Sequence, residues 1–296
     1  MNSLFSISRK NDTKGGSIIW TESQIAYIIN EYNSTHSTVS IAKQFGTNPQ
    51  MIRNVLRKNR VNVLSLSELG MLDFPRNSNF FESVDTPVKA YWLGFLYADG
   101  YIGKEKDKRV RITLKKSDEQ HLSKFLSAIE ANNTPIKYSQ KKDGEKIFEQ
   151  AYCCLRDAKL VEDLNRAGCV NCKSYTLTFP NTDILPEKLQ SHFIRGYFDG
   201  DGSLHSTLSG KNKTPRYRIT FVGTKSFLES LRHILGKEHI AIENRDTYCM
   251  FSISGNKQLI PILEYLYKDS NDSIELTRKR QIYNKFLLQA KPLTKN

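Results

Sequence analysis

Two similar stretches, well separated along a chain of 296 residues, constrain its fold more than any other feature. The first runs from Ala90 to Gly100 as AYWLGFLYADG, and the second from His192 to Gly202 as HFIRGYFDGDG. Each is an apolar and aromatic run that ends in Asp-Gly. An internal repeat of this kind predicts a protein that contains two copies of one structural unit.

Small residues recur at matching positions in the two stretches. Gly94 and Ala98 in the first correspond to Gly196 and Gly200 in the second. Residues four apart lie on the same face of a helix, so each stretch is predicted to be a helix with one flat face. Two such faces let helix backbones approach closely, as small-xxx-small seams do elsewhere. We therefore expect the two helices to meet side by side.

One acidic residue stands at the end of each predicted helix. Asp99 ends the first and Asp201 ends the second. Each is followed by a glycine, Gly100 or Gly202, a residue that often caps helices in a left-handed conformation. Close packing of the two helices would therefore place the two carboxylates near each other.

The charge of the chain indicates a polyanionic partner. Formal net charge is +13 and the isoelectric point is near 9.4, with basic residues along the whole sequence. Nucleic acid is the simplest partner for such a surface. No apolar run reaches the length of a membrane span, and the N-terminus lacks the pattern of a signal peptide. We expect a cytoplasmic protein, bacterial or phage-encoded, or an organellar one, and not a secreted one.

The cysteines do not indicate a disulfide framework or a zinc site. The chain has five, which is an odd number. Cys169 and Cys172 have a spacing found in zinc sites, but no second Cys or His pair lies at a suitable distance. Ordinary reduced thiols are the favoured interpretation.

The N-terminal part predicts three short helices. The segment from Ile41 to Leu56 resembles a helix-turn-helix, with Gly46 at the turn. Its second helix would present polar side chains to a DNA groove: Gln50, Arg53, Asn54 and Arg57. The alternative is a three-helix interaction module that does not touch DNA. We expect a domain over residues 1–62, a linker over 63–85, and two halves over 86–180 and 181–296.

A strand with strict alternation follows each motif. In 109–115 and again in 216–221, polar or basic residues alternate with apolar ones, so one face is buried and the other can lie along nucleic acid. The polar faces hold Arg109, Arg111, Thr113 and Lys115, then Arg216, Arg218 and Thr220. A solvated amphipathic strand is the alternative for either one alone. Both halves share the predicted order helix, two strands, helix, two strands, helix.

Over residues 84–290 the chain resembles a LAGLIDADG homing endonuclease of the single-chain, two-motif type. The two stretches carry the resemblance, as WLGFLYADG ending at Gly100 and IRGYFDGDG ending at Gly202. It implies an α+β fold: two pseudo-symmetric αββαββα halves joined at their motif helices, preceded here by a small all-α helix-turn-helix domain. It also implies a monomer that makes a site-specific double-strand cut in DNA.

The same resemblance assigns roles to individual residues. The terminal acids Asp99 and Asp201 would bind Mg²⁺ or Mn²⁺, assisted by the backbone carbonyls of Ala98 and Gly200. Basic residues near the two centres would be Lys173 and, chosen over Arg278, Lys279. Closely spaced Mg²⁺ ions supply what phosphodiester hydrolysis needs, and they prefer carboxylate oxygens. Asp199 has Tyr97 as its counterpart in the first motif, which argues against an indispensable metal role for Asp199.

Two alternatives share this fold: a transcription regulator that has lost cleavage, and a maturase that assists intron RNA splicing. The chain keeps both terminal acids, and this favours the nuclease. The helix-turn-helix is then interpreted as an auxiliary clamp on DNA, acting through phosphate contacts.

Overall fold

The computed structural model describes residues 3–9, 18–65, 68–69, 72, 74–104, 107–209, 211 and 214–290. The chain divides into two compact units, Met1–Asp73 and Phe74–Asn296. In the described ranges no helix combines the length and the hydropathy that a membrane span needs.

The first unit contains helices α1 (Glu22–Thr35), α2 (Thr38–Gln44) and α3 (Pro49–Lys58), with a short antiparallel pair of strands, β1 (Ser8–Arg9) and β2 (Ile18–Ile19). Side-chain caps start each helix, because Thr21, Ser37 and Asn48 accept hydrogen bonds from the first turns. Apolar faces of the three helices form one small core, made of Ile28, Tyr32, Ile41, Ala42, Phe45, Ile52, Val55 and Leu56.

The second unit repeats one order of elements. Its first half contains α4 (Pro87–Asp99), β3 (Gly100–Ile102), β4 (Arg109–Lys115), α5 (Glu119–Ala128), β5 (Lys137–Asp143), β6 (Lys146–Arg156) and α6 (Ala158–Arg166). Its second half contains α7 (Gln190–Asp201), β7 (Ser203–Ser209), β8 (Thr214–Gly223), α8 (Lys225–Ile234), β9 (Glu243–Asn244), β10 (Cys249–Ser254) and α9 (Asn256–Tyr267), followed by α10 (Thr277–Ala290).

Each half has one four-stranded antiparallel sheet, and the strand orders correspond. They are β3-β4-β6-β5 and β7-β8-β10-β9. The apolar face of each central strand packs on the helices, so that Val110, Ile112, Ile219 and Phe221 are buried in a core shared by both halves. The predicted α+β architecture of two αββαββα halves is confirmed.

The motif helices α4 and α7 meet backbone to backbone. A methyl group added at Gly94 would lie 2.0 Å from the carbonyl oxygen of Phe193, and one added at Gly196 would lie 2.0 Å from that of Tyr91. At the ends of the helices, a Cβ on Gly200 would lie 2.3 Å from the Cβ of Ala98. The predicted seam of small residues is therefore present, and only glycine fits at its closest points.

The glycines after the motif acids do not adopt the predicted left-handed cap. Gly100 has φ −77° and ψ 138°, and Gly202 has φ −76° and ψ 164°, both extended. The chain passes from each helix directly into a strand, β3 or β7. Glycine is needed for space: a Cβ on Gly202 would lie 2.1 Å from the ring of Phe198, and one on Gly100 would lie 2.6 Å from the carbonyl oxygen of Leu96.

Part of the predicted linker belongs to the second unit. Phe80 and Phe81 are buried in its core, and Val84 is almost as well covered. Arg76 donates from Nε to Oδ2 of Asp157 at 2.9 Å, in a buried ion pair. Residues 74–85, which were predicted as part of a linker over 63–85, are thus anchored to the second unit by two adjacent aromatic residues and a buried ion pair.

Replacing Gly196 by Ala is expected to destabilise the second unit. The new methyl group would meet backbone atoms of α4 that cannot rotate away, which costs about 3 kcal/mol. For a unit of this size the melting temperature should fall by roughly 6–12 °C. Thermal unfolding followed by circular dichroism measures the change.

Gly144→Asn is the matched control. Gly144 has φ +58° and open space around its Cβ position, and Asn tolerates that conformation better than other residues. An equal loss of stability in both variants, or none in Gly196→Ala, would contradict the close backbone contact.

Candidate active site

The ends of α4 and α7 bring the two motif acids to one place. A Cβ on Gly200 would lie 3.4 Å from Oδ2 of Asp99, and Ala98 touches the same point of the seam. Burial, together with the negative charge of Asp201, raises the pKa of Asp99 to about 6. Asp201 reaches solvent, yet the surrounding protein still raises the pKa of its carboxyl by desolvation. The two acids therefore form a partly desolvated, mutually repelling pair.

The donor set of this pair suits a hard divalent cation. A cation between the carboxylates would remove their repulsion, and carboxylate oxygens are the ligands that Mg²⁺ and Ca²⁺ prefer. The backbone at Ala98 and Gly200 lies beside them. In the described part of the chain no group of three or more His, Cys, Asp or Glu residues could hold a metal ion. A cation here would complete its coordination with water or with oxygens of a bound phosphate.

Cys169 and Cys172 are not arranged as a zinc site. Cys169 is buried and donates to the carbonyl oxygen of Leu96, whereas Cys172 is exposed. This agrees with ordinary thiols.

Lys173 faces the acid pair from the segment that joins the halves. It begins a short 3-10 helix, Lys173–Tyr175, and its Nζ donates to the carbonyl oxygen of Gly100. It shares a cleft of about 200 Å³ with Ala98 and Asp201. Among the charges that lower the pKa of Asp201, that of Lys173 is the larger, ahead of Lys279.

Lys279 lies on the other side of the pair and is buried, with 1% of its surface exposed. Its Nζ donates to the carbonyl oxygens of Phe198, of Asp199 at 2.9 Å and of Gly202 at 2.6 Å. These are carbonyls at the end of α7, where a cation also meets the negative end of the helix dipole. Burial lowers the pKa of Lys279 to about 8, although the nearby carboxylates oppose this.

The neighbouring Arg278 has a different partner. It donates from Nε to Oδ2 of Asp118 at 2.8 Å, so it links α10 to the first half. Its charge still contributes to lowering the pKa of Asp99.

Asp199 is an internal anchor of the structure. Its carboxylate is 1% exposed and accepts hydrogen bonds from the hydroxyl of Tyr91 at 2.8 Å, the hydroxyl of Tyr267 at 3.3 Å and the backbone N–H of Leu276 at 2.7 Å. Burial raises its pKa. The carboxylate thus joins α7 to α4 of the other half and to the segment before α10, which agrees with the argument against a metal role.

Two buried polar residues near this anchor were not singled out from the sequence. His121 lies 3.0 Å from the Tyr91 hydroxyl through Nε2, and burial lowers its pKa to about 3, so it is neutral. Arg195 is fully buried and donates to the carbonyl oxygens of Ile274 and Leu266. A charged residue inside an otherwise apolar motif was the available signal for Arg195.

The polar face of the first sheet is larger than predicted. Arg109, Arg111, Thr113 and Lys115 alternate with buried residues along β4. The guanidinium of Arg111 lies 3.9 Å from the centre of the Tyr152 ring, and its Nε donates to the hydroxyl of Thr113. Directly opposed residues share a face. The register therefore adds Tyr101, Lys137, Gln150, Tyr152 and Arg156.

The second sheet presents a less charged face. Arg216 and Arg218 are exposed, whereas Thr220 is 7% exposed and shares a 2.8 Å hydrogen bond with the hydroxyl of Ser252. The strand register places Ser203, His205 and Thr207 opposite these three residues. The sequence of 203–209 gave only a weak signal for this strand, because Ser206 interrupts the alternation of Leu204 and Leu208 with polar residues.

The residues of the first unit that were predicted to contact DNA lie on one face of α3. Gln50, Asn54 and Arg57 are exposed and Arg53 is half-buried. The side-chain amide of Gln50 donates to Oδ1 of Asn54 at 3.0 Å. Their assignment to DNA stays a prediction.

Replacing Asp99 by Asn is expected to stabilise the fold at pH 8 when EDTA is present. The raised pKa of Asp99 means that the folded protein binds its proton more tightly than the unfolded chain does. The free energy of unfolding therefore falls as the pH rises from about 4 to about 6. Above that range the ionised carboxylate costs about 3 kcal/mol, which Asn removes.

Thermal unfolding at pH 8 and pH 4 measures this gain, which should be small at pH 4. Asp246→Asn changes an exposed carboxylate of the same unit and serves as the control. A melting temperature below wild type for Asp99→Asn at pH 8 would contradict the repulsion between the acids.

Comparison with known proteins finds no matching family model. The replication factor C small subunit of Methanocaldococcus jannaschii is 26% identical over 216 residues, which are 68% of this chain and 11% of that protein. The intron-encoded RNA maturase bI4 of Saccharomyces cerevisiae is 24% identical over 233 residues, which are 74% of this chain and 35% of that protein. The chain thus spans about a tenth and about a third of these relatives.

Solved structures of similar architecture include two homing endonucleases. I-WcaI bound to its DNA recognition sequence gives a TM-score of 0.49 at 13% identity, covering 66% of this chain and 88% of that one. The LAGLIDADG homing endonuclease I-GzeII in complex with its DNA target gives 0.43 at 14% identity, covering 70% and 90%.

The geometry of this chain describes its architecture directly. Two copies of one αββαββα unit pack through glycine-lined helices, and each of these helices ends in an aspartate. Each half contributes one antiparallel sheet of the same strand order. This is the repeated, pseudo-symmetric architecture that the resemblance to LAGLIDADG proteins implied.

Proposed function

We propose that this chain is a site-specific DNA endonuclease that cuts both strands of a duplex by hydrolysing phosphodiester bonds. The observation that carries the proposal is the acid pair: two carboxylates, Asp99 and Asp201, kept close and partly desolvated at the ends of the paired helices. The repulsion between these carboxylates does not stabilise the fold. A site that binds divalent cations and phosphate, however, requires carboxylates that lie this close together.

Mg²⁺ or Mn²⁺ is the proposed cofactor, with Asp99 and Asp201 as ligands and the carbonyls of Ala98 and Gly200 as candidates. When bound, such an ion activates water and neutralises charge on the scissile phosphate. The close packing at the seam orients the two carboxylates. Lys173 offers N–H donors to a phosphate or water oxygen beside Asp201. Its charge stabilises the negative charge that develops during hydrolysis.

Double-stranded DNA is the proposed partner of the two sheet faces. Arginine and lysine side chains on β4 and β8 suit phosphates and base edges, and the net charge of +13 favours association. One chain supplies two sheets and two acids, so a monomer with internal pseudo-symmetry is sufficient. The first unit is proposed to be an additional DNA contact through α3, with Gln50, Arg53, Asn54 and Arg57.

A cleavage-inactive regulator and an intron RNA maturase are the alternatives. Neither activity needs two carboxylates that repel each other at the centre of the molecule. Desolvated carboxylates with raised pKa values and a close charge partner are typical of functional sites. The endonuclease is therefore the better proposal.

Replacing either motif acid by Asn is expected to abolish cleavage. The probe is a supercoiled plasmid library with inserts of random sequence, incubated with Mg²⁺ and, separately, with EDTA. Wild type should linearise a subset of plasmids that share one site, and EDTA should prevent this. Asp99→Asn and Asp201→Asn should cut that site at least a hundredfold more slowly, since a lost cation ligand removes several kcal/mol of transition-state stabilisation.

Asp246→Asn is the control and should cut like wild type. Wild-type protein that binds one sequence tightly without cutting it would identify a regulator. Preferential binding of structured RNA without cleavage of DNA would favour the maturase. Unchanged cleavage in both motif variants would disprove the assignment of the acids.

Arg111→Ala and Arg218→Ala are each expected to weaken binding of the selected duplex. Each removes one exposed or half-buried cation from a sheet face, which should cost about 1–3 kcal/mol. If the cation contacts a phosphate, the slope of log K against log salt should decrease by about one.

Fluorescence anisotropy with Ca²⁺ in place of Mg²⁺, over a series of salt concentrations, measures both effects. Lys257→Ala removes an exposed charge from the start of α9 and is the control. Equal affinities for all three variants would rule out the sheets as the DNA-binding surface.

A further inference from the structure

Tyr248 lies at the edge of the second sheet, directly before β10 begins at Cys249. The pairing with β8 ends there, because Cys249 is opposite Gly223, the last residue of that strand. A tight turn precedes the strand, in which the backbone N–H of Arg245 donates to the carbonyl oxygen of Tyr248 at 2.8 Å. By the alternation of a strand, Tyr248 continues the polar face that holds Ser252.

Tyr248 also lines the cleft of about 200 Å³ that contains Asp201 and Lys173. The residue is 44% exposed, so its ring is accessible to a molecule that enters the cleft. Tyr248 therefore belongs both to the polar face of the sheet and to the cleft beside a motif acid. A DNA strand that runs from this face, past the exposed Arg218, to the acid pair has to pass Tyr248.

The hydroxyl of Tyr248 is free, unlike those of the two other tyrosines that line this cleft. Tyr97 donates to the carbonyl oxygen of Ala167, and Tyr197 donates to that of Val222 at 2.7 Å. Both of these side chains are buried. Among the described residues, the hydroxyl of Tyr248 has no hydrogen-bond partner. A phenolic hydroxyl can donate one hydrogen bond, and that donor remains available in the cleft.

The fold does not require a tyrosine at this position. Cys154 of β6 and Ser252 of β10 occupy equivalent places, since each pairs with the central-strand residue that lies opposite the first residue after the motif glycine. Four residues earlier stand Gln150 in the first half and Tyr248 in the second. Because the same sheet forms with glutamine there, the exposed ring of Tyr248 is not needed to build it.

On this basis, and resting on the proposed endonuclease function, we propose that Tyr248 contacts the substrate and positions the DNA strand beside Asp201. Its hydroxyl donates a hydrogen bond to a non-bridging oxygen of the backbone phosphate next to the scissile one, and its ring packs against the deoxyribose between them. A neutral O–H donor suits this place, because it binds a phosphate oxygen without adding charge beside the cations of the site. The ring covers the apolar surface of the sugar. No covalent bond to Tyr248 is made or broken.

The test is a double-mutant cycle between protein and DNA. Synthetic duplexes carry the site selected in the cleavage assay, with a methylphosphonate replacing one phosphate at a time near the cut. Single-turnover cleavage with Mg²⁺ at saturating protein gives the rate. Tyr248→Phe should cut the unmodified duplex about tenfold more slowly, which corresponds to one hydrogen bond. One methylphosphonate position should slow wild type by a similar factor and should not slow Tyr248→Phe further, because the same contact is already lost.

Tyr248→Ala also removes the ring and should cut more slowly than Tyr248→Phe. Both variants should keep the melting temperature of wild type, since the side chain is exposed. Tyr265→Phe changes another exposed tyrosine, on α9, and should cut like wild type.

Three results would overturn the role of Tyr248 and leave the endonuclease intact. They are a Tyr248→Phe rate equal to that of wild type, methylphosphonate effects that are the same in wild type and Tyr248→Phe at every position, and a lowered melting temperature in Tyr248→Phe. Absence of cleavage by wild type would instead overturn the endonuclease itself.

Discussion

The contact between the backbones of α4 and α7 is the constraint on which the rest of this structure depends. At Gly94 and Gly196 each helix touches a carbonyl oxygen of the other, and no side chain fits between them. This distance decides how near Asp99 and Asp201 lie, and it forces both acids to share one environment. The sheets then extend from the ends of the same helices, because β3 begins at Gly100 and β7 at Ser203. The acid pair and the polar faces are therefore placed by one seam.

The seam brings a cost, since it confines two negative charges in a desolvated place. Several groups compensate for it. Lys279 caps the end of α7, and the charges of Lys279 and Lys173 lower the pKa values of both acids, although burial still raises them overall. Deeper in the protein, Asp199 is stabilised by three hydrogen-bond donors from three segments, in addition to the charge of Lys279. Folding therefore tolerates the acid pair by surrounding it with cations and anchored backbone, and the pair stays available for a cation.

Much of this architecture could be predicted from the sequence because the repeat is encoded locally. Residues four apart define the seam, and residues two apart define β4 and its polar face. Features that depend on distant residues could not be predicted. The three carbonyls around Lys279 come from another helix, and Tyr152 meets Arg111 only through the register of β6 with β4. Local rules also misled where packing overruled them. Gly100 and Gly202 are needed for space and not for a left-handed turn, and Phe80 and Phe81 make residues 74–85 part of the core.

A repeat within one chain lets its two copies diverge, and the pair Tyr97 and Asp199 shows how far. They occupy equivalent motif positions, but a second carboxylate at position 97 would add another buried negative charge two residues from Asp99. Tyr97 instead donates to the carbonyl oxygen of Ala167, while Asp199 collects donors from both halves. Lys173 and Lys279 differ in the same way, one open to a cleft and one committed to a helix end. A symmetric dimer could not separate these roles, because each substitution would appear at both centres. Single-chain pseudo-symmetry permits an ammonium that is open to a cleft on one side and an ammonium that caps a helix end on the other.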